Sequence, residues 1–243
     1  MNLRLGNINV VVTGGSSGIG AKIVEGFANE GANVWFCGRS QHRIDKLLKQ
    51  LGKAPKQVVG KVVDVHNLVQ MKAWIESIPN IDIFVPNVSA LSDEWEDVLQ
   101  KDIAATQQGI ALVLPKLLES RCAAITYIGS KASGYTVCNA NAYGAGKAAL
   151  AHYMKSLSLT YVRKVRVNTV SPGDTYIADG LWGRCKREEP DTFQKVIDRN
   201  PMGRLATPEE VANVVTFISS PAASFVSGAN WYVDGASTSH VQY

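Results

Sequence analysis

Four cysteines and four histidines in 243 residues leave little from which to build a metal site or a disulfide framework. Cys37, Cys122, Cys138 and Cys185 lie far apart, as do His42, His66, His152 and His240. No CxxC or HxxxH pair sets two ligands close together, so no metal is expected. Long hydrophobic runs are missing too. No stretch approaches the ~20 apolar residues that cross a bilayer, and Met1–Asn9 lacks a signal peptide's apolar core. A cytoplasmic protein without membrane contact is expected. Charge of one sign is scarce: 25 Lys+Arg against 21 Asp+Glu give +4. Apart from Arg184, Lys186 and Arg187 the basic residues are scattered, without the basic stripe of a nucleic-acid groove. Repeats and low-complexity tracts are absent. What remains is 46% hydrophobic and 19% charged, an ordinary globular composition.

Short apolar runs alternate with longer amphipathic segments. The runs are Ile8–Thr13, Asn33–Gly38, Val58–Val65, Ile81–Val85, Ala123–Gly129, Val165–Val170 and Trp231–Val233. They are too short for buried helices, and several are rich in Val and Ile. Between them Ile19–Asn29, Arg43–Leu51, Leu68–Ile78, Trp95–Leu118, Ala142–Val162 and Pro208–Ile218 read as helices. Thr207 before Pro208 is an N-cap followed by a proline at the first helical position. The alternation predicts βαβ units and a doubly wound parallel sheet of about seven strands, a Rossmann-type α/β fold in a single domain over 1–243. Asp174–Asn200 breaks the pattern. It is long, polar and interrupted by Gly180, Gly183 and Pro190, as functional lids often are.

The first strand runs into Thr13-Gly14-Gly15-Ser16-Ser17-Gly18-Ile19-Gly20 and then a helix. Glycines let backbone approach a phosphate, and the helix start offers unpaired N–H groups and a positive dipole end. The spacing differs from the general GxGxxG fingerprint, but its place between strand and helix predicts dinucleotide binding. After the second strand comes Gly38-Arg39-Ser40, where an NAD-specific protein would carry a carboxylate for the ribose 2′-hydroxyl. A guanidinium there can grip a 2′-phosphate, so NADP(H) is expected over NAD(H).

Tyr143 and Lys147 fall one turn apart on a helix and share a face. A phenol ionises near pH 10, and a nearby ammonium lowers that value. Such a tyrosine can exchange a proton with a carbonyl oxygen or an alcohol while hydride moves at carbon. The fifth strand ends at Ile128-Gly129-Ser130, and strand C-termini in such sheets face the ligand crevice. There Ser130 can bond the same substrate oxygen.

These ordered motifs resemble the short-chain dehydrogenase/reductase family over Val10–Gly235. Thr13–Gly20 resembles its TGxxxGIG turn, Asp64-Val65 its adenine-contacting pair, and Ser130 with Tyr143–Lys147 its catalytic Ser and YxxxK. Ser171-Pro172-Gly173 resembles its PG motif under the nicotinamide, and Gly203-Arg204 through Val233-Asp234-Gly235 its C-terminal region. The resemblance implies nicotinamide-linked carbonyl/alcohol chemistry and a homotetramer, or a homodimer. Ser130 would polarise the carbonyl, Tyr143 would be the general acid/base, and Lys147 would lower its pKa and hold the nicotinamide ribose. Gly14, Ser16, Ser17, Gly18, Ile19, Gly20, Gly38, Arg39, Asp64, Val65, Asn87, Val88, Ser89, Pro172, Gly173 and Thr175 would line the cofactor site with Tyr143 and Lys147. Among family members the chain most resembles 3-oxoacyl-(acyl carrier protein) reductases, which implies a 3-oxoacyl-type substrate.

The pattern is broken in three places. The family's fourth catalytic residue, an Asn that helps hold a proton-relay water, aligns with Asp102. An ionised Asp accepts hydrogen bonds but donates none. A relay through its unchanged backbone carbonyl, with altered pH dependence, is the expectation; an exposed helix carboxylate without a role is the alternative. The family's NNAG turn reads Pro86-Asn87-Val88-Ser89, where proline removes a donor and Ser89 replaces glycine. The threonine that usually follows the PG motif has no clear counterpart: Asp174, Thr175 and Tyr176 are near, with Ile177 at its place.

The lid carries Tyr176, Ile177, Leu181, Trp182 and Phe193 beside Arg184, Lys186 and Arg187. Apolar residues can wall a pocket with cations at its mouth for an anionic substrate; a hydrophobic lid face with a solvated basic edge reads equally well. Ser130, Tyr135, Tyr143, Tyr176, Leu181 and Trp182 are the candidate substrate residues. The leading reading is an NADP(H)-dependent ketone reductase or secondary-alcohol dehydrogenase. The rival is a non-catalytic dinucleotide-binding regulator or scaffold, motivated by Asp102 and Pro86. A nucleotide-sugar epimerase or dehydratase is disfavoured by the lack of a second domain. The apolar Ser219–Gly235, with Phe225, Trp231 and Tyr232, suits a subunit interface.

Overall fold

The computed structural model describes residues 1–52, 57–136, 141–239 and 241. Cys138 and His240, counted above, lie outside the described residues. β1 (Asn9–Val12), β2 (Asn33–Gly38), β3 (Val58–Val62), β4 (Ile83–Val85), β5 (Ala124–Ile128), β6 (Arg166–Pro172) and β7 (Asn230–Val233) are the strands among the described residues. They pair in parallel in the order β3-β2-β1-β4-β5-β6-β7. Parallel strands need crossovers, and helices supply them on both faces. One face is covered by α1 (Gly18–Asn29), α2 (Gln41–Leu51) and α9 (Pro208–Ser219); the other by α3 (Leu68–Ser77), α5 (Ala105–Glu119) and α6 (Asn141–Thr160).

Burial on both sides explains the near-continuous apolar strands. In β5, Ala124 and Ile128 join the first core while Ile125 and Tyr127 join the second. The helix starts follow local chemistry. Thr207 accepts from the Glu210 N–H and Glu210 answers at the Thr207 N–H, a reciprocal cap just before Pro208.

The structure departs from the sequence expectation in three elements. β3 stops at Val62, leaving Asp64 and Val65 in the turn that follows. The expected helix over 95–118 begins as α4 (Trp95–Asp97), widens into a π-helical turn at Val98–Ala104, and continues as α5. The lid is helical rather than irregular: α7 (Leu181–Glu188) and α8 (Pro190–Arg199) follow each other, and Pro190, read as a breaker, opens α8. Proline fits the first helical turn because its missing N–H has no partner there.

β1 lies between β2 and β4, where the strand order reverses. The crevice outside the carboxyl ends of strands at such a switch point is where open α/β sheets bind ligands. No helix among the described residues is long and apolar enough to cross a membrane.

Candidate active site

The glycine-rich turn has the shape its sequence demands. Gly14 and Gly18 take the left-handed backbone (φ +64° and +55°), which glycine adopts without strain. A Cβ on Gly20 would stand 2.2 Å from the Gly14 carbonyl oxygen and 2.6 Å from Asn87 Nδ2. A Cβ on Gly38 would overlap Ser16 Oγ at 2.2 Å. Asn87 ties the turn to β4: its N–H donates to Thr13 Oγ1 (3.1 Å), and its Nδ2 to the carbonyls of Thr13 (3.1 Å) and Gly14 (3.2 Å). Ser17 precedes α1 in extended backbone without capping it by its side chain, so the helix start keeps its donors and dipole for an anion. Arg39 is exposed beside this turn.

Asp64 and Val65 follow β3 at the same edge. Val65 packs on the second core. Asp64 Oδ1 accepts from the His66 N–H (3.1 Å) and lies 3.0 Å from His66 Nδ1, while His66 Nε2 stands 3.3 Å from the Lys101 carbonyl. At the far side Pro172 ends β6, and Gly173 donates to Val233 (2.9 Å) so closely that a Cβ would meet Asp234 Cα at 2.7 Å.

Between these walls stand the three residues singled out for chemistry. Ser130 stands two residues beyond β5, is buried, and its Oγ accepts from the Ala132 N–H (3.1 Å). It also lies near enough to the Tyr143 phenol to draw that phenol's pKa down. Lys147, one turn further along α6, is 3% exposed and donates to the Ile128 carbonyl (3.2 Å). Its ammonium lies 5.7 Å from the Tyr143 ring centre and 5.1 Å from that of Tyr127. Burial pushes Lys147 down to about 8, and the Asp102 carboxylate opposes that fall.

The expected lowering of the Tyr143 phenol is not what the protein shows. Burial pushes it above its ordinary value, the Ser130 contact pulls it back, and the charges of Asp102 and Asp174 push it up again. Desolvation disfavours the phenolate more than neighbouring donors favour it.

Asp102 is 1% exposed, which removes the reading of an idle surface carboxylate. It sits in the π turn, where Oδ2 accepts from the Ser89 hydroxyl (3.0 Å) and Oδ1 from the Ala90 N–H (2.6 Å). Two departures from the family pattern, Ser89 and Asp102, therefore touch each other. Pro86 lacks a donor, yet its carbonyl still accepts from Ile128 (3.1 Å) and keeps β4 and β5 in step. Val88 packs over Gly14, within 3.0 Å of where a Cβ would be.

The lid residues divide. Tyr176 meets Phe193 edge-on (centroids 6.0 Å apart), and the Lys186 ammonium lies 5.3 and 5.7 Å from these two ring centres. Arg187 donates to the Ala178 carbonyl (2.8 Å). Two of the three cations expected at a pocket mouth are thus engaged within the lid itself. Leu181 and Tyr135 are exposed and Trp182 is half-buried. A cavity of about 270 Å³ opens beside Leu181, Trp182 and Cys185 in the lid, apart from Ser130, Tyr143 and Lys147. Thr175, expected at the cofactor, is buried with its hydroxyl turned to the Gly173 carbonyl (3.1 Å). Ile177 is the residue that reaches the glycine turn, with Cδ1 3.0 Å from where a Gly18 Cβ would stand.

Three residues at the site carry little or no local sequence signal. Asp93 caps α6 from a distant loop, accepting at Oδ1 from Ala142 (2.8 Å) and Tyr143 (3.1 Å). Lys131 pairs with Asp174 at 2.5 Å and donates to Ser237 (3.3 Å), joining the loops beyond β5, β6 and β7. Tyr127 places a buried hydroxyl with no hydrogen-bond partner among the described residues. A phenol in a fully buried strand is visible in the sequence; the other contacts span too much chain to be read from spacing.

Fold and crevice together have the form of a nicotinamide-dinucleotide oxidoreductase. Residues 14–238 match the family model described as Enoyl-(Acyl carrier protein) reductase, and the chain belongs to the short-chain dehydrogenase/reductase family. It is 32% identical to galactitol 2-dehydrogenase (L-tagatose-forming) of Cereibacter sphaeroides, covering 97% of this chain and 96% of that one. It is also 32% identical to isoepoxydon dehydrogenase of Penicillium expansum, with 93% of each covered. The solved structure of L-sorbose reductase from Gluconobacter frateurii, complexed with NADPH and L-sorbose, superposes with a TM-score of 0.91 at 27% identity, covering 99% of this chain and all of that one.

Proposed function

We propose that this chain, a cytoplasmic homo-oligomer, uses NADP(H) in preference to NAD(H) to reduce a ketone or oxidise the corresponding secondary alcohol. The observation that carries the reading is the convergence of Ser130, Tyr143 and Lys147 at the carboxyl end of β5. The residues present fit a dinucleotide. The Gly14–Gly20 cradle has no room for a Cβ at Gly20, the α1 start offers unpaired N–H groups, and Arg39 stands at the edge where a 2′-phosphate would lie. When bound, the nicotinamide supplies or accepts hydride.

The protein's own part is proton and charge management. Ser130 donates to the substrate oxygen and keeps it against Tyr143. Tyr143 delivers its proton to that oxygen as negative charge develops there, or removes it in the reverse direction. A phenol held up by burial is a competent proton donor at neutral pH and a reluctant base. Lys147, charged below about pH 8, stabilises the phenolate left behind and would hold the nicotinamide ribose.

Two substrate classes follow from different observations. The 3-oxoacyl reading rests on family resemblance. A hydroxylated ketone is favoured by the Lys131–Asp174–Ser237 cluster beyond the ends of β5 and β6 and by relatives named for L-sorbose and galactitol.

The test follows NADPH oxidation with L-sorbose and with an acetoacetyl thioester, beside Tyr143→Phe. Turnover that falls roughly 10²–10⁴-fold in the variant is expected of a general acid/base. Activity unchanged by the variant overturns the assignment, and NADPH binding without turnover across a wider ketone panel favours the regulator. Equal dissociation constants for NADH and NADPH would remove the role of Arg39. Light scattering at the monomer mass would remove the oligomer.

A further inference from the structure

We propose that Asp102 acts through its side chain as the counter-charge of Lys147 and as the clamp on the loop from which Asp93 sets the start of the Tyr143 helix. It is a positioning residue, and the proposal rests on the Ser130, Tyr143 and Lys147 reading above.

The argument begins with the π turn. Taking an extra residue into one turn rotates the side chains that follow relative to an α-helix, and such turns gather at functional sites. Here the turn is pressed against α6. Gly146, the residue before Lys147, has no room for a Cβ because Val98 Cγ1 would lie 2.3 Å away. Asp102 in that turn and Lys147 beside Gly146 are both buried, and the carboxylate acts on the ammonium by its charge.

Both carboxylate oxygens face donors. The Ser89 hydroxyl accepts from the Leu91 N–H (3.3 Å) and gives its own proton to Asp102 Oδ2 (3.0 Å), while the Ala90 N–H gives to Oδ1 (2.6 Å). Leu91 is held at φ +51°, a left-handed conformation that persists in a bulky residue only where its surroundings enforce it. Two residues on, Asp93 takes the N–H groups of Ala142 and Tyr143. The connection from Asp102 through residues 89–93 to the Tyr143 backbone is continuous.

The groups facing Lys147 are the Tyr127 and Tyr143 rings, the Ile128 carbonyl and the charge of Asp102. Burial lowers the lysine to about 8, and the Asp102 carboxylate holds it from falling further. The carboxylate thus extends the pH range over which the ammonium exists. Its absence lets Lys147 lose its proton at lower pH.

Clamp and charge separate cleanly by substitution. Asp102→Asn keeps an acceptor for Ala90 and offers an amide to the second lone pair of Ser89 Oγ, so the loop stays while the charge goes. Ser89→Ala keeps the charge and weakens the clamp. Asp102→Ala removes both.

The experiment has an arm that needs no turnover: melting temperature against pH for the wild type, Asp102→Asn, Lys147→Met and the double variant. Asp102→Asn is expected to melt several degrees lower once Lys147 is charged, with the gap opening as pH falls through about 8 and absent in the Lys147→Met background. A gap that ignores pH, or that survives Lys147→Met, overturns the counter-charge. Ser89→Ala and Asp102→Ala are expected to speed amide exchange across residues 89–93 at least tenfold, and Asp102→Asn is not; unchanged exchange in the first two overturns the clamp. In the activity arm, the high-pH fall of kcat/KM moves to lower pH in Asp102→Asn and stays in place in Ser89→Ala. A wild type that reduces nothing would sink the reductase reading, and the melting and exchange arms would still decide this one.

Discussion

The two halves of the crevice are built on different principles. The β1–α1–β2 side is made of backbone. Glycines at 14, 18, 20 and 38 clear space, and a helix start supplies charge without any charged side chain. The β4–β5–α6 side is made of side chains reaching across the chain: Asp102 to Ser89 and Ala90, Asp93 to the α6 start, Lys131 to Asp174. The first side keeps the family's sequence pattern closely; the second departs from it at Pro86, Ser89 and Asp102. Backbone recognition tolerates almost no substitution, because the space itself is the function. A side-chain network can exchange one member when a neighbour changes with it, as the contact between Ser89 and Asp102 shows.

The comparison breaks most sharply at Gly20. Gly20→Ala drives a methyl to within 2.2 Å of a backbone oxygen, and overpacking of this kind costs about 1–3 kcal/mol. We expect a lowered melting temperature and NADPH binding weakened by at least a factor of ten in a fluorescence titration. Normal binding in this variant would mean that the turn is not the phosphate cradle.

On the other side effects should be smaller and should separate binding from turnover. Asp93→Ala removes two bonds to the α6 start, and loss of a cap costs about 1 kcal/mol. Turnover is expected to drop several-fold with the cofactor dissociation constant unchanged; a matching loss of cofactor affinity would merge the two halves into one unit.

The smallest effect concerns Tyr127, whose buried hydroxyl has no partner among the described residues. Tyr127→Phe removes a buried group that opposes folding while it lacks a partner, so the melting temperature should hold or rise slightly. A fall in turnover in a more stable protein would put this phenol on the proton path.

The same contrast explains what was legible in the sequence. Strand periodicity and the glycine spacing are local, so the sheet, the turn at Gly14–Gly20 and the Thr207 cap could be read directly. Tyr143 and Lys147 announce themselves because one helical turn joins them. Asp93 and Tyr143 meet only in space, and no pattern along the chain pairs them. The lid misled for a different reason: Pro190 and Gly180 look like breakers, yet proline at a first helical position and glycine just before a helix are compatible with helix starts. Burial, too, was out of reach. Spacing placed an ammonium beside the Tyr143 phenol but gave no measure of how far desolvation would push that phenol the other way.

The fit of Gly146 against Val98 carries a consequence for how this molecule can be recombined. A chimera that takes its N-terminal part from one relative and its C-terminal part from another would join a foreign π turn to a native α6 whenever the crossover falls between residues 98 and 146. Crossovers before residue 86, or beyond α6, leave that seam intact. The segment from Pro86 to Lys147 therefore has to be inherited as a block, together with a glycine turn that fits its Asn87 and Val88.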